Sequence, residues 1–437
     1  MVIGVARRPF TREDFRHFIR SEINIKIGQY KEEDVKHFLD HMTYVQGLFD
    51  EPELYTALSE KIKNIEKIYR VCANKLFHLS VPPNFYDGIL SELSASGLTI
   101  PCVPNGKSKK ANNDQAQTST GSGWTRVLVE KPFGHDVNTA IALEKRLASL
   151  FDETQIFRID HYLAKEAVQN ILAFRFANSI FEPLWNKDFI DKVHIKLLEK
   201  IGIEGRGNFY DEVGALKDVG QNHVLQMLAL IAMDEPDSFD AMNIRKERYR
   251  VLSKLESITE KTISECVVRG QYDGYTNEKG VKPNSETETY FRIESYIDSA
   301  RWKKVPFYIE SGKAMAQSKT EIDVYFKSPN GDDCQNIVTF RIQPDEGIKI
   351  KFWVKTPGFG LNVEPKMLKF KYSDFNGDVF FPDAYERVLY DAIMGDQTLF
   401  ASTNEVMSAW EYITPIIENW KDLPIYGYEK GTEHVDF

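Results

Sequence analysis

The sequence predicts an α/β domain over residues 1–134, followed by a larger α+β domain over residues 135–437. Three observations predict this. The N-terminal third alternates short apolar runs with helix-patterned segments, as parallel βα units do. Later stretches such as KVHIKLLEK, TYFRIESYI, TEIDVYFK, QNIVTFRIQ and IKIKFWVK alternate polar and apolar residues, as strands of an antiparallel sheet do. A chain of 437 residues with 42% hydrophobic content is long and apolar enough for two cores.

The elements follow in order. MVIGVARRPF reads as a buried strand, and TREDFRHFIRSEI as a helix beginning after Thr11. Residues 51–69 read as a helix, KLFHLSVPP (75–83) as a strand ended by the Pro-Pro turn, and FYDGILSELSAS as the next helix. Residues 103–123, VPNGKSKKANNDQAQTSTGSG, are almost without apolar side chains and read as a disordered insertion. WTRVLVEKPFG restores a strand, Arg126 to Val129, whose C-terminal end delivers Glu130, Lys131 and Pro132 where open parallel sheets bind ligands. ETQIFRID is a further short strand, and AKEAVQNILAFRFAN a helix with Ala167, Ile171, Leu172 and Phe176 at helical spacing. A helix starting directly after the strand places His161 and Lys165 one turn apart on one face, where backbone N–H groups also favour an anion. KTISECVVRGQY reads as another strand, and KDVGQNHVLQMLALIAM as a strongly apolar helix. The chain has no internal repeat of fixed period.

A formal net charge of −10 argues against a general nucleic-acid or membrane binder, while leaving room for a local basic pocket that holds an anionic metabolite. No run of eighteen apolar residues and no signal-peptide pattern occurs, so a soluble protein is expected. The four cysteines, Cys72, Cys102, Cys266 and Cys334, lie far apart with no zinc spacing; they read as reduced structural thiols, which points to the cytoplasm. No metal site is expected.

Polar residues stand where a packed core would reject them. RIDHYLAKE packs Asp160, His161, Tyr162 and Lys165 into one short stretch, and KDVGQNHVLQ places Asp218 and His223 five apart. Glu199 ends one strand, and Lys313 follows a glycine after another. Each has a plain alternative: a capped helix with a solvated face for the first stretch, a satisfied core imidazole for His223. The combination favours chemistry. A histidine near neutral pKa can take a proton from an alcohol while a hydride leaves the same carbon, and a carboxylate such as Asp160 can fix its tautomer. That reaction needs a bound hydride acceptor.

At these residues the chain resembles the glucose-6-phosphate dehydrogenase family. The matching stretches are GVAR (4–7), VPPNFY (81–86), EKPFG (130–134), RIDHYLAKE (158–166), FRFAN (174–178), EGRGNFYDEVGALKDVGQNHVLQ (204–226), VPFYIESGKAM (305–315), IQPDE (342–346) and YERVLYDAIMGDQTLF (385–400), in family order. The resemblance implies NADP-dependent oxidation of D-glucose 6-phosphate to 6-phospho-D-glucono-1,5-lactone, the first step of the oxidative pentose phosphate pathway. It implies His223 as general base with Asp160 as its carboxylate partner, and His161, Tyr162 and Lys165 as phosphate ligands. Glu199 and Asp218 match acceptors of sugar hydroxyls, Lys131 a lysine between sugar and nicotinamide, and Lys313 and Gln343 further substrate-side residues. Arg7 matches the contact to the adenosine 2′-phosphate, and Tyr86 a residue near the cofactor. A homodimer or homotetramer is implied as well. The family's second basic residue five positions after Lys313 is replaced here by Ser318, with Lys319 beside it.

One departure is larger. The family opens with a strand and a glycine-rich turn that cradles the pyrophosphate, whereas this sequence starts at what matches the second strand. The Rossmann-like dinucleotide-binding domain is therefore expected to be incomplete at its N-terminus, with two strand edges exposed. Two readings follow: a piece of a longer protein, or a shortened homologue. A truncated or relic homologue that binds sugar phosphate without efficient cofactor binding is the alternative function, and another sugar dehydrogenase is the third.

Overall fold

The computed structural model describes residues 1–26, 31–103, 122–328, 334–375 and 381–435. Apart from its ends, the insertion expected at 103–123 lies outside the described residues. The chain divides into two compact units, Met1–Val129 with Lys145–Ile156, and Glu130–Glu144 with Phe157–Phe437.

The first unit contains β1 (Val2–Ala6), α1 (Arg12–Lys26), α2 (Glu32–Asp40), β2 (Met42–Gln46), α3 (Pro52–Tyr69), β3 (Lys75–Leu79), α4 (Tyr86–Ala95) and β4 (Thr125–Val129). Helix α1 starts where expected because the Thr11 hydroxyl accepts the Asp14 N–H at 3.1 Å. It turns Phe15 against the strands, where it packs with Leu39, Met42 and Tyr44. Strands β1 and β2 are parallel, with Val2 opposite Met42 and Ala6 opposite Gln46. Strands β3 and β4 are also parallel, with Lys75 opposite Thr125. The pair β1–β2 is a sheet of its own, so among the described residues it is not joined to β3 or β4.

The cysteine expectation is corrected here. Cys72 and Cys102 form a disulfide, with Cα atoms 5.4 Å apart, while Cys266 and Cys334 are thiols. The half-cystines are 30 residues apart, and the chain after α4 folds back beside the start of β3. Lys75 Nζ holds it there by donating to the carbonyls of Leu98 at 2.8 Å and Ile100 at 2.6 Å. Spacing alone does not reveal such a return.

The second unit is built on one nine-stranded sheet. Its helices and strands include α5 (Val137–Ala148, which begins in this unit), β5 (Ile156–Ile159), α6 (Glu166–Phe176), β6 (Ile190–Leu198), α7 (Gly207–Ala215), α8 (Leu225–Ala232), α9 (Ala241–Leu252) and α10 (Ile263–Cys266). They continue with β7 (Val267–Tyr272), β8 (Tyr290–Ser295), β9 (Phe307–Gly312), β10 (Lys319–Phe326), β11 (Ile337–Gln343), β12 (Gly347–Lys355) and β13 (Val363–Lys371). The last elements are α11 (Ala384–Met394), β14 (Phe400–Ala401), α12 (Thr403–Asn419) and β15 (Ile425–Tyr428). The strand order is β13-β12-β11-β10-β6-β9-β8-β7-β15. Pairing is antiparallel except between β6 and β9 and between β7 and β15. In β11 the alternation works as read: Val338, Phe340 and Ile342 are buried, and Phe340 meets Phe174 of α6 with ring centroids 5.1 Å apart.

Three readings change. KTISECVVRGQY is a short helix, α10, before strand β7. KDVGQNHV belongs to a π-helix, Leu216–Val224, that leads into α8. Residues 161–164 form turns, and α6 begins only at Glu166, with Lys165 as an extended N-cap. The Asp160 carboxylate causes the delay: its Oδ1 accepts the Tyr162 N–H at 3.0 Å, a local turn that competes with helix. His161 and Lys165 are therefore not on one helical face.

Candidate active site

Strand β5 delivers Asp160 from a fixed frame. Its Arg158 guanidinium is buried and forks onto Glu144, Nε to Oε1 at 2.9 Å and Nη2 to Oε2 at 2.6 Å. Ile159 pairs with Phe400 of β14. Asp160 is 1% exposed, and its Oδ1 lies 2.6 Å from His223 Nδ1. Its Oδ2 is buried with no hydrogen-bond partner among the described residues.

The π-helix supplies the imidazole. Its wider turn, with i→i+5 hydrogen bonds, brings Asp218 and His223 nearer to one side than an α-helix would. Within it the His223 N–H donates to Asn222 Oδ1 at 2.6 Å. The Tyr162 ring stacks on the His223 ring at 4.4 Å, and His161 meets it edge-on at 4.6 Å. These contacts fix the plane of the imidazole, and the carboxylate on Nδ1 leaves Nε2 as the proton acceptor.

Burial lowers the His223 pKa, against the opposing pull of Asp160. Burial raises the Asp160 carboxyl, but the neighbouring His223 and its hydrogen bond outweigh that, and the group stays below its ordinary value. The result at neutral pH is a neutral base beside a carboxylate. Burial, with His223 nearby, lowers His161 to about 4, so it too is neutral.

Two further clusters complete the site. Lys313 Nζ, buried, meets Glu199 Oε2 at 2.5 Å and Asp218 Oδ2 at 3.5 Å. Lys131 Nζ donates to the Asp218 carbonyl at 2.9 Å and to its Oδ1 at 3.4 Å. Burial raises Asp218, but Lys131 and Lys313 hold it below the ordinary carboxylate value. On the other side Lys165 Nζ donates to Gln343 Oε1, and Gln343 Nε2 to Tyr162 Oη at 3.4 Å. Lys165 stands 4.5 Å from the Tyr162 ring centroid, so the cation borders the His223 stack.

The structure thus brings together His223, Asp160, His161, Tyr162 and Lys165 with Gln343, and Asp218 with Lys131, Lys313 and Glu199. Arg7 and Tyr86 lie in the first unit. Arg7 is exposed after β1, and Tyr86 is buried at the start of α4, 3.5 Å from the Leu79 carbonyl through its hydroxyl. Ser318 and Lys319 are turned to other partners: the Ser318 hydroxyl accepts the Lys200 N–H at 3.0 Å, and Lys319 pairs with Glu321 at 2.6 Å. Tyr385 was missed. Its ring stacks beside His161 at 6.2 Å, and its hydroxyl donates to Glu130 Oε2 at 3.3 Å. Its only signal was membership of a matching stretch without an assigned role. Among the described residues no cluster of three or more His, Cys, Asp or Glu is placed to hold a metal ion, and no helix is long and apolar enough to cross a membrane.

Comparison with known proteins gives the same answer at each level. The family model described as "Glucose-6-phosphate dehydrogenase, NAD binding domain" matches residues 1–170, and "Glucose-6-phosphate dehydrogenase, C-terminal domain" matches 172–436. The glucose-6-phosphate 1-dehydrogenase of Chlamydia muridarum is 38% identical over 97% of this chain and 84% of its own length. That of Bacillus subtilis is 37% identical over 96% of this chain and 84% of its own. A solved glucose-6-phosphate dehydrogenase in complex with glucose 6-phosphate superposes with a TM-score of 0.88 at 33% identity, covering 99% of this chain and 88% of that one. The glucose-6-phosphate 1-dehydrogenase of Mycobacterium avium gives a TM-score of 0.81 at 32% identity, over 98% and 87%. With both family models matched along almost its whole length, this chain belongs to the glucose-6-phosphate dehydrogenase family.

Proposed function

We propose that the chain oxidises D-glucose 6-phosphate to 6-phospho-D-glucono-1,5-lactone with NADP, the entry step of the oxidative pentose phosphate pathway. The observation that carries this reading is the buried Asp160–His223 pair at 2.6 Å, flanked by His161, Tyr162 and Lys165. His223 Nε2 takes the proton of the C1 hydroxyl, and Asp160 stabilises the imidazolium that results. Bound NADP would supply the acceptor for the C1 hydride, so that C1 is left as the lactone carbonyl carbon. Lys165, with neutral His161 and the Tyr162 hydroxyl, receives the 6-phosphate. Glu199 and Asp218 accept hydrogen bonds from the sugar hydroxyls, oriented by Lys313 and Lys131, and Gln343 braces Lys165.

The first unit fits the adenosine end of NADP. Arg7 and Arg8 follow β1 with no acidic residue beside them, which suits a 2′-phosphate over a free 2′-hydroxyl. Arg7 would hold that phosphate, Lys131 would stand at the nicotinamide end, and buried Tyr86 would support the cofactor side by packing. On this reading residues 1–134 bind the dinucleotide, and 135–437 bind the sugar phosphate and carry self-association. The outer strand β13 exposes Val363, Met367 and Leu368, which favours pairing of subunits as a homodimer or homotetramer. A cytoplasmic location completes the proposal, on the bacterial relatives rather than on the cysteines, two of which form a disulfide.

The test is formation of NADPH at 340 nm from glucose 6-phosphate and NADP. Turnover with that pair, far above turnover with free glucose or NAD, supports the reading. Calorimetric binding of glucose 6-phosphate without NADP binding supports the relic alternative instead.

A further inference from the structure

Residues 214–216 raise a separate question. Gly214 takes φ 71° and ψ 171°, a kink near the end of α7 just before the π-helix that carries Asp218 and His223. A π-helix is a poor local minimum, so something must hold its first turn. Glu288, buried just before β8, does so. Its Oε1 accepts the Leu216 N–H at 3.0 Å, and its main-chain carbonyl accepts the Ala215 N–H at 3.1 Å. A side chain on Gly214 would collide with the Glu288 carboxylate, so the glycine is where this acid is seated. The next residue, Thr289, accepts the Lys313 N–H at 2.9 Å through its carbonyl. One two-residue segment therefore fixes both the start of the π-helix and the backbone of the lysine that pairs with Asp218.

We propose that Glu288 is a positioning residue for the reaction: by holding the Leu216 N–H and filling the space over Gly214, it sets the first turn of the π-helix and thereby places Asp218 and His223. The proposal rests on the reading of His223 as the base. Burial raises the Glu288 carboxyl to about 7, with Lys217 and Arg269 as the cations and Tyr210 and Tyr275 as the phenols that bear on it. A neutral acid accepts the Leu216 N–H through its carbonyl oxygen, and so does an amide. Glutamine is thus the conservative replacement, while aspartate keeps the carboxyl but withdraws it by one methylene.

The experiment compares Glu288→Gln, Glu288→Asp and Glu288→Ala with the parent chain and with His223→Asn, each normalised to folded protein. Expected are near-parental kcat for Gln and a loss of about 10- to 100-fold in kcat for Asp and Ala, with the KM for NADP unchanged, as for a misplacement near 1 Å. Amide hydrogen exchange over residues 214–224 should accelerate in Asp and Ala but not in Gln. Parental kcat and exchange in Asp overturn the proposal even if Ala fails to fold, as does a Gln variant as impaired as Asp. If His223→Asn keeps its turnover, the base reading fails by itself, and the exchange data still decide whether Glu288 holds the helix.

Discussion

Asp160 Oδ1 lies 2.6 Å from His223 Nδ1, across 63 residues of sequence and shut away from solvent. The contact sets the tautomer of His223, the proposed base, while burial outweighs it in setting the titration. Because burial lowers the His223 pKa, the acid limb of kcat/KM, where the base becomes protonated, should lie below 6.5. Asp160 opposes that shift, so Asp160→Asn should move the limb to still lower pH while kcat falls about 100-fold or more, because an amide cannot stabilise imidazolium. The phosphate of the substrate titrates near pH 6 as well, but equally for both proteins, so the difference between the two profiles isolates the histidine. An acid limb that rises in the variant contradicts the assignment.

Lys165→Ala should separate the phosphate from the rest of the sugar. A charge-assisted hydrogen bond contributes about 1.5–3 kcal/mol, so kcat/KM for glucose 6-phosphate should drop about 10- to 150-fold. Turnover of free glucose should hold, because that sugar offers Lys165 nothing to grip. Equal losses for both sugars would mean that Lys165 supports the Tyr162–His223 stack instead.

The polar cluster was legible in part: Asp160, His161, Tyr162 and Lys165 share one short stretch whose side chains are costly to bury, whereas Gln343 and Tyr86 were marked only by the resemblance. Their geometry was less legible. Asp218 and His223 five apart share no α-helical face, and the wider turn of the π-helix is what brings them toward one side. The turn at 161–164 hides in the same way: AKEAVQN has good helical spacing, but Asp160 captures the Tyr162 N–H and delays the helix to Glu166. Strands with strict alternation, such as β11, were read directly because the pleat enforces a period of two. Strand β13 was not read: it is the sheet edge and largely exposed, and its VEPKMLKFK pattern leaves no apolar face to betray it. Gly214 had no signal beyond membership of a matching stretch, and Glu288 had none, since a residue that supports another through one backbone N–H leaves no motif.

The Cys72–Cys102 disulfide closes a loop of 30 residues in the first unit. Closure of a loop that size restricts the unfolded chain by about 3–4 kcal/mol. Cys72→Ser should lower the unfolding free energy by about that amount in denaturant titrations under oxidising conditions, and reductant should reproduce the loss in the parent but not in the variant. Identical unfolding curves with and without reductant would show that the bridge does not constrain the fold.

The central claim is that His223 removes the C1 proton, and His223→Asn tests it most directly. Asparagine keeps much of the shape and removes the basic nitrogen, so substrate and NADP should bind with unchanged Kd by calorimetry while kcat falls about 100-fold or more. If the folded variant turns over glucose 6-phosphate within a few-fold of the parent, His223 is not the base and the mechanism drawn from its contact with Asp160 is wrong.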